Sequence, residues 1–149
     1  HQLHRRQRQM CIRDSDFSAK LASTPDDLKK ILMPPVEAGL DFLHSSMRRF
    51  WESEFEGSDE NLAYWTKKIS NIPTIGVGSV GLDSDFIDMT APATPTSIDK
   101  ALDDIKKQKY DLIAVGRALL SDYEWVVKMK EGRLNDVIPY TKDALLNLY

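Results

Sequence analysis

Gly78, Ser79 and Val80 follow the apolar run Thr74-Ile75-Gly76-Val77, and Gly116 and Arg117 follow Asp111-Leu112-Ile113-Ala114-Val115. Each run is short enough for a buried strand and ends in glycine, and the second adds an arginine where a helix begins. Those residue types suit an anion, with phosphate the natural guest. Glycine lets the main chain approach a ligand closely, successive N–H groups form an anion-binding concavity, and a helix N-terminus adds the favourable end of its dipole. Arg117 supplies charge and forked donors. The plain alternative for each motif is a tight strand-to-helix turn with no ligand; two such motifs on adjacent strands, one with an arginine, favour a site.

Other residues carry weaker signals. His44 lies in a strand pattern, where a lone histidine is more often a hydrogen-bonded core residue than a ligand. Arg48, Arg49, Phe50 and Trp51 fall at the carboxyl end of that strand; they could border a ligand, and pairing with Glu52, Glu54 or Glu56 explains them equally well. Tyr123 and Trp125 read as packing residues. No pair of Asp or Glu has a spacing that singles it out for acid/base work, and no metal-ligand set is visible.

The elements that must position the two motifs repeat. Leu40 to Ser46, Thr74 to Gly78 and Asp111 to Gly116 read as strands, starting at 40, 74 and 111, with a helical pattern between each pair. That period of roughly 35 residues fits parallel strands joined by crossover helices. Thr24 is an N-cap candidate with Pro25 at the first helical position. Pro34 and Pro35 are expected to end or kink that helix. Ser58 reads as the cap of a second helix with Leu62, Trp65 and Ile69 on one face. A third runs from about Ser97 with Ile98, Ala101, Leu102 and Ile105 inward. After the last strand come a short turn at Arg117 to Leu120, a helix near Tyr123 to Lys130 and a closing helix from Thr141. Asp85 to Ser97 is the one long loop, placed where a lid would sit.

Both motifs therefore lie at the carboxyl ends of consecutive parallel strands. In a (β/α)8 barrel the loops after strands 7 and 8 are the recurrent phosphate site. A doubly wound sheet would also place ligands at strand ends, but its G-x-G-x-x-G opening is missing. The expected fold class is thus α/β, a (β/α)8 TIM barrel represented by strands 6 to 8. A complete barrel takes roughly 250 residues, so 149 residues with three strands read as an incomplete one.

From Asp16 to Tyr149 the chain resembles the C-terminal part of the old yellow enzyme family, the FMN-dependent NAD(P)H:flavin oxidoreductases. The matching runs are DFSAKLASTPDDL, GLDFLHSSMRRFWESEFEGSDENLAYWTKKI, PTIGVGSVGLDSDF and DLIAVGRALLSDYEWVVKMKEGR. The resemblance implies that FMN phosphate is held by Gly78, Ser79 and Val80 after one strand and by Gly116 and Arg117 after the next. It implies NAD(P)H as reductant and an activated alkene, such as an α,β-unsaturated carbonyl compound, as the small-molecule substrate. The family's flavin-ring contacts, its flavin-facing arginine, its substrate-holding histidine/asparagine pair and its tyrosine proton donor all precede the matched part, so no catalytic residue is assigned here. Two other readings stay open: another phosphate-binding barrel, such as a lyase or isomerase acting on a sugar phosphate, or a non-catalytic binding remnant.

Residues 1–15, HQLHRRQRQMCIRDS, have no helical or strand period, and Met10 to Ser15 resemble translated adapter sequence. They are expected to be a non-native leader ahead of an FMN-binding barrel part at 16–149. The segment holds Cys11, the only cysteine, and two of the three histidines. It carries a formal charge of +3 within a chain total of −3, so the remainder carries −6 and the basic front is no sign of nucleic-acid binding. At 42% hydrophobic and 29% charged the composition is that of a soluble globular domain. No run reaches membrane-spanning length and no signal peptide is visible, which suggests the cytoplasm and no membrane partner. Nothing in the sequence specifies an oligomeric state.

Overall fold

The computed structural model describes residues 20–84 and 92–146. Helix α1 (Pro25–Glu37) starts as its sequence demands: the Thr24 hydroxyl accepts from the Asp27 amide, Pro25 stands at the first position and Asp26 and Asp27 face the positive end of the helix dipole. The helix buries Leu28 and Leu32, and it runs through Pro34 and Pro35 rather than ending there. The two carbonyls that lose their partners to those prolines belong to Lys30 and Ile31, both exposed, so water can satisfy them.

Strand β1 (Leu43–Ser46) is shorter at its start than the apolar pattern suggests, and Leu40 and Phe42 are exposed. Helix α2 (Leu62–Ser70) is capped by Asn61 instead of Ser58. Asn61 does two jobs: its side-chain oxygen accepts from the Tyr64 amide at 2.9 Å, and its side-chain nitrogen donates to the Phe50 carbonyl at 2.7 Å. Ser58 accepts only from the Glu60 amide. The expected apolar face holds, with Leu62 buried and Trp65 and Ile69 packed on the same cluster.

Strand β2 (Thr74–Val77) lies between β1 and β3 (Leu112–Ile113) in a parallel three-stranded sheet of order β1-β2-β3. His44 pairs with Ile75 and Ile75 with Leu112. The β3 ladder bonds reach beyond its two residues, since the Asp111 amide donates to the Thr74 carbonyl and the Ala114 amide to that of Gly76. Asp111 also accepts from the Thr74 amide at 2.7 Å and from Lys67. Burial pushes its carboxyl up, but these donors together hold it below the ordinary carboxylate value.

Helix α2 covers one face of the sheet, where the Ser45 hydroxyl donates to Thr66 and Gly76 sits against Ala63 and Tyr110. On the other face His44 and Ser46 are exposed and Ile75 and Val77 half-buried. This open α/β sheet is compatible with part of a barrel. His44 is therefore not a core histidine.

Helix α3 (Asp99–Lys106) buries Ala101 and Asp104, while Leu102, expected inward, is exposed. Charge decides that facing. Lys109 reaches Asp104 at 3.4 Å and Glu60 at 2.6 Å, joining the end of α3 to the start of α2. Beneath them Tyr110 is buried, and burial followed by the Asp104 charge pushes its hydroxyl up to about 12. Helix α4 (Arg117–Ser121) and helix α5 (Trp125–Lys130) complete the helices. Trp125 is buried as expected, but Tyr123 precedes the helix and is exposed. The closing helix from Thr141 is a 3-10 turn, Lys142–Leu145, packed against α4.

Two apolar clusters hold these elements. One gathers Phe50, Val80, Leu82, Trp125, Val137 and Tyr140; the other is built on Leu28, Leu32, Phe55 and Leu62. Residues 85–91 of the long loop lie outside the described residues, as does the 1–15 segment. The returning strand of that loop makes antiparallel bridges, Leu82 to Pro95 and Ala93 to Tyr140.

Candidate functional site at the ends of two strands

The chain leaving β1 crosses the end of β2: the Met47 amide donates to the Val77 carbonyl at 2.7 Å and the Phe50 amide to that of Gly78 at 3.1 Å. This crossing explains the glycine at 78. A β-carbon there would lie 2.7 Å from the Met47 carbonyl oxygen, a backbone atom that cannot step aside. Gly81 has φ of 74° and would set a β-carbon 2.7 Å from the Trp125 ring. Both glycines of this motif are needed for chain packing, which the anion reading alone did not anticipate.

Between them Ser79 adopts φ of 49°, a left-handed conformation uncommon for a residue with a side chain. Its hydroxyl lies 3.1 Å from the Arg48 carbonyl and 2.9 Å from the Ser84 carbonyl, and donates to one of them at a time. Val80 turns its side chain into the core.

The second motif meets the first here. Arg117, the first residue of α4, donates through Nη2 to the Ser79 hydroxyl at 3.2 Å and to the Ser84 carbonyl at 2.6 Å. Its guanidinium carbon stands 5.4 Å from the centre of the Tyr140 ring. Gly116 is exposed, and a β-carbon built on it would meet no atom within 4 Å, so the space beside the Arg117 turn is open. The Ser84 hydroxyl is buried without a hydrogen-bond partner among the described residues. The structure thus brings Arg117 against Ser79, with Gly116 and Gly78 their chain neighbours, and turns the Val80 side chain away into the core.

The segment carrying Tyr140 is tied back to α4 by Asp122. That buried carboxylate accepts from Lys128 at 2.8 Å, from the Ile138 amide at 3.0 Å and from the Glu124 amide at 3.1 Å. Burial raises the Asp122 pKa, but the Lys128 bond, the Ile138 amide and the Lys128 charge together hold it below the usual carboxylate range. Tyr140 lies outside the matching runs and Asp122 within one of them with no role assigned to it, so only the three-dimensional contact reveals what they do.

The residues after β1 follow the plain reading. Phe50 is buried and meets Trp51 edge-to-face at 5.1 Å, and Arg49 pairs with Glu52 at 2.6 Å. A small cavity is lined by Lys20, Met47, Arg48, Glu52, Ser53 and Leu62, among others. Among the described residues no cluster of His, Cys, Asp and Glu could hold a metal ion, and no helix is long and apolar enough to cross a membrane.

No family model matches the chain. A relative does. The chain is similar to an NADH oxidase of Thermoanaerobacter brockii, 35% identical over 123 residues that cover 77% of this chain. This similarity is to an oxidoreductase, and the chain spans 17% of that relative's length.

Proposed function

We propose that this chain supplies the FMN-phosphate site of a flavin-dependent oxidoreductase of the old yellow enzyme type. The observation that carries the reading is the contact of Arg117 with Ser79, which brings two motifs 38 residues apart onto one spot. The residues present fit a phosphate. At the spot stand a guanidinium and the Ser79 hydroxyl; Ser84, whose carbonyl meets both, has a hydroxyl without a partner among the described residues, and the space at Gly116 is open. Ser79 is left-handed, a conformation that an anion nest of successive amides requires.

Gly78, Ser79 and Val80 would hold phosphate oxygens through main-chain N–H groups, and Gly116 and Arg117 would close the other side, Arg117 adding charge-assisted bonds. The chemistry the cofactor supplies when bound is hydride transfer from NAD(P)H to the β-carbon of an activated alkene. The protein's part here is to hold a remote group so that the reacting ring is positioned. The open sheet face of His44, Ser46, Ile75 and Val77 supports a barrel interior, since parallel strands are ordinarily covered on both sides. Similarity to an NADH oxidase supports a nicotinamide reductant. We read residues 16–149 as part of such a barrel.

Titrating FMN into the chain, followed by flavin fluorescence, tests this reading. Arg117→Ala is expected to weaken FMN binding by about 10- to 150-fold, corresponding to roughly 1.5–3 kcal/mol for a charge-assisted contact. Arg117→Lys should fall between, keeping the charge and losing the fork. Equal affinities for all three proteins would remove Arg117 from the site, and binding of a sugar phosphate in place of FMN would favour a lyase or isomerase.

A further inference from the structure

One residue that the phosphate reading leaves unused stands directly against Arg117. Tyr140 is buried, its ring lies under the Arg117 guanidinium at 5.4 Å, and its backbone is bonded in both directions to Ala93, amide to carbonyl at 3.2 Å and the reverse at 2.8 Å. We propose that Tyr140 is a positioning residue that aims the Arg117 fork at Ser79, so that the guanidinium is ordered before any anion arrives. This inference rests on the FMN-phosphate reading.

The physical case has three parts. An arginine side chain has many rotamers, and each must be given up when it binds a phosphate. A ring face beneath the planar guanidinium attracts it and restricts it to one plane while leaving its edge N–H groups directed sideways, toward Ser79 and Ser84. The ring itself cannot drift, because Ala93 holds its backbone on one side and the Asp122 bond to the Ile138 amide anchors the same segment two residues earlier. Arg117 stands at the start of a five-residue helix, too short to fix a long side chain by itself. The ring adds its face to the hydrogen bonds that Arg117 makes with Ser79 and Ser84.

The test compares FMN with riboflavin, which lacks the phosphate, in the full 149-residue chain. Tyr140→Leu is expected to weaken FMN binding about 3- to 10-fold and to leave riboflavin binding unchanged, and Tyr140→Phe should restore the wild-type value because it keeps the ring. In an Arg117→Gln background Tyr140→Leu should have no further effect on FMN. Independently of any ligand, the Arg117 side-chain proton resonances should show a ring-current shift that is lost in Tyr140→Leu and kept in Tyr140→Phe. A Tyr140→Leu protein that weakens both flavins alike, or that keeps its full preference for FMN, overturns the inference while the phosphate reading stands. Equal wild-type affinities for FMN and riboflavin overturn the phosphate reading, and this inference with it.

Discussion

Lys128 and Asp122 form an ion pair of 2.8 Å in which the aspartate side chain is 2% exposed and the lysine side chain 10%. The lysine comes from α5 and the aspartate from the turn before it, so the pair fixes how α5 leaves α4. A buried pair is weak grounds for net stability, but removing one partner strands the other charge away from water.

Asp122→Asn should therefore destabilise the fold by about 3 kcal/mol, because the nearly buried Lys128 ammonium loses its partner at 2.8 Å and keeps only the exposed Glu124 carboxylate at 3.8 Å. Urea unfolding of the two proteins measures this. A change below about 0.5 kcal/mol, the scale of an ordinary surface substitution, would show that Lys128 escapes to solvent at no cost.

The same carboxylate fixes a pH dependence. The folded Asp122 pKa lies below its unfolded value, so the stability it contributes is fully present above the ordinary carboxylate range and is lost as pH falls through the folded value. The gap in unfolding free energy between wild type and Asp122→Asn should be constant near neutrality and shrink below about pH 4. A gap that persists unchanged at pH 2 would contradict the assignment.

Gly78→Ala should cost about 1–3 kcal/mol, since the new methyl would meet the Met47 carbonyl and the crossing of chain over strand cannot yield without breaking the Phe50 bond. Thermal unfolding should show a lower midpoint. An unchanged midpoint would mean that the crossing relaxes freely.

The 149-residue chain by itself is expected not to reduce an unsaturated ketone with NAD(P)H in the presence of FMN. Under the proposed function this chain holds the phosphate end of the cofactor and supplies no group at the reacting ring. Flavin-dependent ketone-alkene reduction by the purified chain would overturn that expectation.

The parts of the fold legible in the sequence are those governed by local physics. Thr24, Pro25 and the two aspartates specify a helix start that the structure keeps, and the three strand positions follow from apolar runs, two of which end in glycine. The encounter of Arg117 with Ser79 could be anticipated because parallel neighbours bring their carboxyl ends together. What escaped the sequence depends on distant partners. Asn61 takes the cap from Ser58 because it also reaches Phe50, and Asp104 turns inward in place of Leu102 because Lys109 lies there. The role of Gly78 differs from its local reading for the same reason: its neighbour is Met47, 31 residues earlier in the chain. Tyr140 sits in a stretch without periodicity, so only the folded contact with Arg117 singles it out.

The Leu82–Pro95 bridge, with the Asp83 amide donating to the Thr94 carbonyl and the Thr96 amide to that of Gly81, acts as a clasp at the base of the 84–92 interval, and the Ala93–Tyr140 bridge fastens the returning end to the Tyr140 segment. The clasp is closed by main-chain bonds, but Ser84, the first residue above it, accepts from Arg117 at 2.6 Å and so must keep its place whatever follows it. Lengthening a closed loop is inexpensive, about 0.6 kcal/mol for each doubling. A change of length beyond Ser84 is thus a matter of loop closure alone only while Ser84 stays where Arg117 meets it, which makes that serine the boundary between a tolerant stretch of chain and a fixed one.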